Sequence, residues 1–131
     1  MPQKEIEVIL TRQLASYLAM PIFIIDSAGT LVFFNEPAEQ ILGMRFEETG
    51  EMPADEWVAA TTLTDEHGAP IAPEARPLTI ALNERRPAHG EMWIHGLDQV
   101  RRHIEATAFP LIGQAGRHLG AVAIFWEVKA S

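Results

Sequence analysis

Apolar residues along this chain fall into short runs broken by turn-forming residues, and the first complete unit is residues 21–43, PIFIIDSAGTLVFFNEPAEQILG. Residues 22–25 are β-branched or aromatic, Asp26, Ser27, Ala28 and Gly29 supply turn chemistry, and residues 31–34 form a second apolar run. The pattern predicts two strands paired antiparallel through a tight turn. Asn35 then offers a side-chain acceptor at the head of a helix with Glu36, Pro37 and Glu39 in its first turn, and Gly43 stops that helix after Ile41 and Leu42.

Upstream, residues 4–18 place Ile6, Ile9, Leu10, Leu14, Tyr17 and Leu18 at three- and four-residue spacings, one apolar stripe on a helix. Pro21 blocks its continuation. Beyond Gly43 the pattern weakens, and residues 44–64 read as a loop followed by a helical turn that carries Trp57 inward. Asp65, Glu66, His67 and Gly68 mark a turn, and Pro70 and Pro73 keep the next stretch irregular. Pro77 opens a helix with Leu78, Ala81 and Leu82 on one face, which ends by Pro87. Three strands are expected after it: residues 89–94, residues 100–109 ending at Pro110, and residues 119–128. Gly96, Leu97 and Asp98 form the first connection and residues 113–116 the second.

Strand alternation puts Phe23, Ile25, Leu31 and Phe33 on one face and Ile22, Ile24, Val32 and Phe34 on the other. Both faces are apolar, so the sheet needs two covers. The short helices supply one, and the stripe on residues 4–18, from this chain or a partner subunit, supplies the other.

The length of 131 residues suits one domain, residues 20–131, preceded by the amphipathic helix within residues 1–19. The chain has no cysteine, which excludes disulfides, thiolate metal sites, cysteine nucleophiles and cysteinyl cofactor adducts. Eighteen acidic against ten basic residues give a net charge of -8, which disfavours nucleic acid and anionic membranes as partners. No apolar run reaches spanning length, and MPQKEIEVIL lacks the apolar centre of a secretory signal, so a soluble cytoplasmic protein is expected.

Three segments in this order, IFIIDSAGTLVFFNEPAEQILG, PLTIALNERRPAHGEMWI and RRHIEATAFPLIGQAGRHLGAVAIFWEV, resemble the PAS domain, a sensory and interaction module, over residues 20–128. The resemblance implies an α+β fold: a five-stranded antiparallel sheet with short helices across one face. Family members often follow the last strand's acidic and aliphatic residues with threonine, whereas Glu127 and Val128 here precede Lys129.

The same resemblance makes the helix-covered face the ligand side. It would carry Phe23, Ile25, Leu31, Phe33, Ile104, Ala106, Ala108, Ala121, Ala123 and Phe125 from the sheet, with Ile41, Leu42, Trp57, Leu78, Ala81 and Leu82 from the helices. Four of the ten sheet positions are alanine, which either leaves room for a ligand or lets the helices close in and leave none. A pocket so lined suits an apolar ligand such as an acyl chain or a flat ring system.

Candidate chemistry is sparse. Family members that bind flavin or a thioester-linked chromophore covalently need a cysteine, and haem-binding members take a histidine from the helix that here begins at Pro77, whose residues 78–86 contain none. Neither cofactor is expected, and His67, His89, His95, His103 and His118 read as solvent-facing. No metal site is expected from scattered histidines or from Glu47, Glu48 and Glu51. Glu105 and Glu127 are expected to face away from the alanines without a nucleophile beside them. The resulting expectation is a non-catalytic PAS sensory domain in signal transduction that binds a small apolar ligand or a signalling-protein partner. It would form a homodimer through Ile6, Ile9, Leu10 and Leu14 and the sheet face of Ile24, Val32, Ile124 and Trp126. The alternatives are a homodimerisation module with a filled core and, residually, an enzyme on this scaffold.

Overall fold

A computed structural model of the chain describes residues 9–11, 14, 19–95 and 100–128. Its elements run β1 (Ile22–Asp26), β2 (Leu31–Phe34), α1 (Glu36–Leu42), α2 (Phe46–Thr49), α3 (Ala54–Ala60), β3 (Thr62–Thr64), α4 (Pro77–Glu84), β4 (Ala88–His95), β5 (Arg101–Ile112) and β6 (His118–Glu127). All neighbouring strands are antiparallel, in the order β2-β1-β6-β5-β4-β3. Ile9, Leu10, Thr11 and Leu14 are helical, whereas Ile6, Tyr17, Leu18 and the turn at 96–98 lie outside the described residues.

The expected hairpin forms. Asp26 Oδ1 accepts from the N–H groups of Ala28 and Thr30, each at 3.0 Å, so the carboxylate closes the turn alongside the Asp26 carbonyl, which accepts from Gly29 N–H at 3.0 Å. At the other end, Asn35 caps α1 and is only 2% exposed. Its Oδ1 accepts from Ile22 N–H at 3.0 Å and Ala38 N–H at 3.3 Å, while Nδ2 donates to the Met20 carbonyl at 2.8 Å. One amide therefore joins the start of β1, the end of β2 and the first turn of α1. Gly43 ends α1 with φ 74°, its N–H bonding the Glu39 carbonyl.

The sheet has six strands where five were expected. The addition is β3, three residues leaving α3, which pairs Leu63 with Ile94 and Thr64 with Trp93. The segment after Gly43 also holds two short helices, α2 and α3, where one helical turn was expected. Strand β5 runs through Pro110 instead of stopping there. β4 begins opposite Ala108, so Pro110 lies where β5 is paired with β6 alone, and such a margin tolerates a missing N–H.

Two facing expectations fail. Phe23 pairs with Phe34 and Ile25 with Leu31, and the register slips between Ile24 and Ile25. This irregularity breaks the alternation of β2. Phe34 joins Phe23, Ile25 and Leu31 under the helices, while Phe33 joins Ile22, Ile24, Val32, Leu119 and Val122 on the opposite face. Glu127 also differs, since it pairs with Ile104 and so shares the helix side at the sheet's end.

Both faces are dry. Ile24 and Val32 are completely buried on one, as are Leu31, Ala38 and Ala81 on the other, and each large apolar side chain so covered contributes about 1.5–3 kcal/mol. Close strand approach rests on Gly120, with φ 148°, where a Cβ would collide with the Ile25 carbonyl oxygen and lie 2.9 Å from Asp26 Cα. Helix α3 is tied across the hairpin turn, with Trp57 Nε1 donating to the Gly29 carbonyl at 2.9 Å.

Two substitutions test these ties by urea unfolding. Asn35→Ala removes the cap and leaves buried backbone groups unpaired, so stability is expected to fall by about 2–4 kcal/mol; a loss within the scatter of a surface mutation contradicts the role given to the amide. Trp57→Phe keeps an aromatic ring but strands the Gly29 carbonyl, for an expected loss of about 1–3 kcal/mol. An unchanged midpoint would show that this bond holds nothing in place.

Candidate functional site

Between the helices and the centre of the sheet lies a half-open cavity of about 50 Å³. Strand alternation builds its floor: Phe23 from β1, Met92 and Ile94 from β4, Ile104 and Ala106 from β5, and Ala123 and Phe125 from β6. Trp57 and Thr61 from the end of α3, Leu63 from β3, and Arg76, Pro77 and Leu78 at the start of α4 complete the wall. Phe23 stands between Phe125, at 5.0 Å between ring centroids, and Phe34, at 6.1 Å.

Seven of the residues expected on the ligand side line this cavity: Phe23, Trp57, Leu78, Ile104, Ala106, Ala123 and Phe125. Ile25, Leu31, Ile41, Leu42, Ala81, Ala108 and Ala121 belong to the same apolar cluster but fill it elsewhere, with Leu82 packed against its edge. Phe33 lies on the opposite face. The alanines divide accordingly, Ala106 and Ala123 lining space while Ala108 and Ala121 are completely buried away from it.

Sequence reasoning missed six lining residues. Met92 and Ile94 carried a readable signal, since they alternate with Glu91, Trp93 and His95. Leu63 and Thr61 were hidden by the weak patterning before Asp65. Pro77 was read only as a helix start. Nothing local marks Arg76 for burial, yet it is only 6% exposed.

The Arg76 guanidinium closes the carboxyl end of α3. Nη1 donates to Thr61 Oγ1 at 3.1 Å and Nη2 to the Thr61 carbonyl at 3.2 Å, while the Thr61 hydroxyl donates to the Trp57 carbonyl at 2.9 Å. A cation at a helix carboxyl terminus is favourable. Its Nε is buried and meets no acceptor. Burial holds the Arg76 pKa below the ordinary arginine value, with no neighbouring carboxylate contributing among the described residues, but a guanidinium stays charged near neutrality.

The remaining polar groups lie away from this space. His103 stacks on Trp93 with centroids 4.2 Å apart and meets Glu91 at 2.7 Å, and His89 lies 3.8 Å from Glu105. His103 is therefore half-buried against a ring, and both His118 ring nitrogens are buried without a partner, in contrast to the solvent-facing positions expected. Glu127 reaches toward Arg102, at 4.0 Å. No cluster of three or more metal-ligating side chains occurs among the described residues. No helix among them is long and apolar enough to cross a membrane.

Solved structures share this architecture. The PAS domain of BvgS from Bordetella pertussis is similar at a TM-score of 0.65 and 13% identity, over 95% of this chain and 87% of that one. The PAS domain of nitrogen regulation protein NR(II) from Vibrio parahaemolyticus gives a TM-score of 0.63 at 16% identity, over 91% and 98%. A LOV protein of Rhodobacter sphaeroides gives 0.70 at 11% identity, over 95% and 69%. Identities this low carry the fold and nothing finer. No curated protein sequence matches the chain significantly. A family model described as the PAS fold matches residues 16–131, and the chain belongs to that family.

Proposed function

We propose that this PAS-fold chain is a non-catalytic sensory module that takes a small ligand in the cavity under α3 and α4 and passes on a change in how those helices pack. The observation that carries this reading is the cavity itself, a gap in an otherwise dry, close-packed face, lined by eight sheet residues and by the facing ends of two helices. Its size restricts the occupant. A volume of about 50 Å³ is well below the roughly 150 Å³ of an apolar cavity that takes benzene, so the space as it stands holds only a few non-hydrogen atoms, and a larger occupant would extend through its half-open side or part α3 from α4.

A ligand biases such a domain only through differential affinity for two arrangements. Trp57, Thr61 and Arg76 link the end of α3 to the start of α4 across the cavity, so an occupant touches the junction that would differ between them. Among the described residues no nucleophile with its base lines the space, which favours sensing over catalysis.

A second reading, homodimerisation, is favoured by Ile9, Leu10 and Leu14, which are 42%, 56% and 62% exposed. Ile24 and Val32 are already completely buried within the single chain, so of the residues expected at an interface these two offer no surface, and Ile124 and Trp126 are half-buried.

Two measurements test these readings. Mass spectrometry of small molecules extracted after native purification should recover a ligand, and its return at a hundredfold excess over Kd should stabilise the fold by about 2.7 kcal/mol; empty extracts and no thermal shift across a library of small aliphatics refute the sensory reading. For the dimer, Leu14→Glu is expected to convert the assembly to monomer in sedimentation velocity. A variant that remains dimeric rules out this stripe as the contact.

A further inference from the structure

The two helices that wall the cavity are held unequally. α4 buries Pro77, Leu78 and Ala81, whereas Trp57 alone among the seven residues of α3 is buried, no side chain caps that helix, and Ala54, Asp55, Glu56 and Ala59 are exposed. The chain is pinned on either side of α3: Met52 exchanges backbone bonds with Leu31 at 2.8 and 3.0 Å, and Leu63 pairs with Ile94. Between these pins, the described residues show side-chain bonds from two places holding α3 to the rest of the fold, the Trp57 indole on the Gly29 carbonyl and the Arg76 guanidinium on Thr61. A short helix with one buried residue opens at lower cost than the sheet beneath it.

The Arg76 connection is the one that is costly to keep closed. The side chain is only 6% exposed and forms no ion pair among the described residues, and its Nε meets no acceptor. Nη1 and Nη2 bond neutral oxygens at 3.1 and 3.2 Å, the long end of the N–H···O range. Water would satisfy every donor of the group. Moving the end of α3 away from Arg76 therefore replaces two long bonds by hydration of a buried charge, and a charge kept dry without a counter-ion offsets much of what such bonds contribute. The Thr61 hydroxyl also donates to the Trp57 carbonyl at 2.9 Å, so the last turn of α3 is braced by the same residue that Arg76 holds.

We propose that Arg76 is the latch of a gate: the end of α3 parts from the start of α4, the guanidinium passes into water, and the cavity admits an occupant larger than its closed volume of about 50 Å³. This inference rests on the sensory reading and names the step by which its site is entered. A ligand that binds only the open arrangement holds it open. The position of α3 then reports occupancy.

Hydrogen exchange and benzene binding, both on the full chain, test the latch. The Thr61 amide, bonded to the Trp57 carbonyl, should exchange through a local opening insensitive to low urea, about a hundredfold or more faster than the Phe125 amide, bonded to the Pro21 carbonyl in the sheet. Thr61→Val keeps the shape of the side chain but strands Nη1 in the closed state, so the opening should become about tenfold more frequent while Phe125 is unchanged. In an Arg76→Met background no charge is left to strand, and Thr61→Val should change the exchange by less than about twofold. Benzene needs roughly 150 Å³ and should bind Thr61→Val more tightly than the native protein by the same factor, about tenfold, because it selects the open state. A Thr61 amide that tracks Phe125 at every urea concentration overturns the gate, as does an effect of Thr61→Val that is equal with and without Arg76. Equal benzene affinity for native protein and Thr61→Val, despite faster exchange, means entry through the half-open side; it overturns the gate and leaves the sensory reading standing. Empty native extracts together with no benzene binding remove the sensory reading, and the gate with it. Should either variant fail to fold, the native protein decides: a Thr61 amide that opens apart from Phe125 and shifts with benzene supports the gate, and one that exchanges only with Phe125 refutes it.

Discussion

The amide of Asn35 is where the fold is joined. A helix can leave a buried strand without a linker only if the orphan N–H groups of its first turn find acceptors in a dry place. Asn35 supplies that acceptor to Ala38, gives the same oxygen to Ile22 at the start of β1, and donates to the Met20 carbonyl. A carboxylate would lose the donated bond, since it only accepts. The β1–β2 hairpin is thus held at its open end by Asn35 and at its turn by the Trp57 indole on Gly29. Between those two points the path from α1 to α3 is constrained, and with it the roof over the sheet.

Where that roof meets the sheet, side-chain size decides between contact and space. Gly120 lets β6 lie against β1 closer than any side chain would permit. Ala108 and Ala121 are fully covered, while Ala106 and Ala123, each two residues along its strand, face a gap. Identical residues on the same face therefore do opposite things, according to which helix end stands over them. The buried Arg76 breaks the local rule that a core charge is paired. Departures of that kind concentrate where a protein does something other than fold.

Much of this was legible before any coordinates. Period-two alternation put Phe23 and Ile25 on one face, and the resemblance to PAS domains made that face the helix side and added Ile104, Ala106, Ala123 and Phe125 to it; these six hold because each lies in a strand long enough, or paired regularly enough, for alternation to persist. Asn35, Pro37, Gly43 and Pro77 announced their helix ends through backbone chemistry that needs no tertiary partner. Phe33 and Phe34 were exchanged because a register slip leaves no mark in composition, only in pairing. Strand β3 is three residues long and exists because β4 offers it an edge, so its own sequence has little reason to look like a strand.

What the sequence determined by itself is everything that depends on neighbours along the chain: two apolar faces, the turns, the caps, and the order of elements that carries the PAS fold. What only the tertiary structure decided is what depends on residues far apart meeting. Thr61 and Arg76 are fifteen positions apart and become one hydrogen-bonded unit. Residues from β1, β4, β5 and β6 become one floor, and the space left over it is a difference between large packed volumes. Local propensity contains no term for that difference, so the size and the charge of the cavity emerge only when the chain has closed around it.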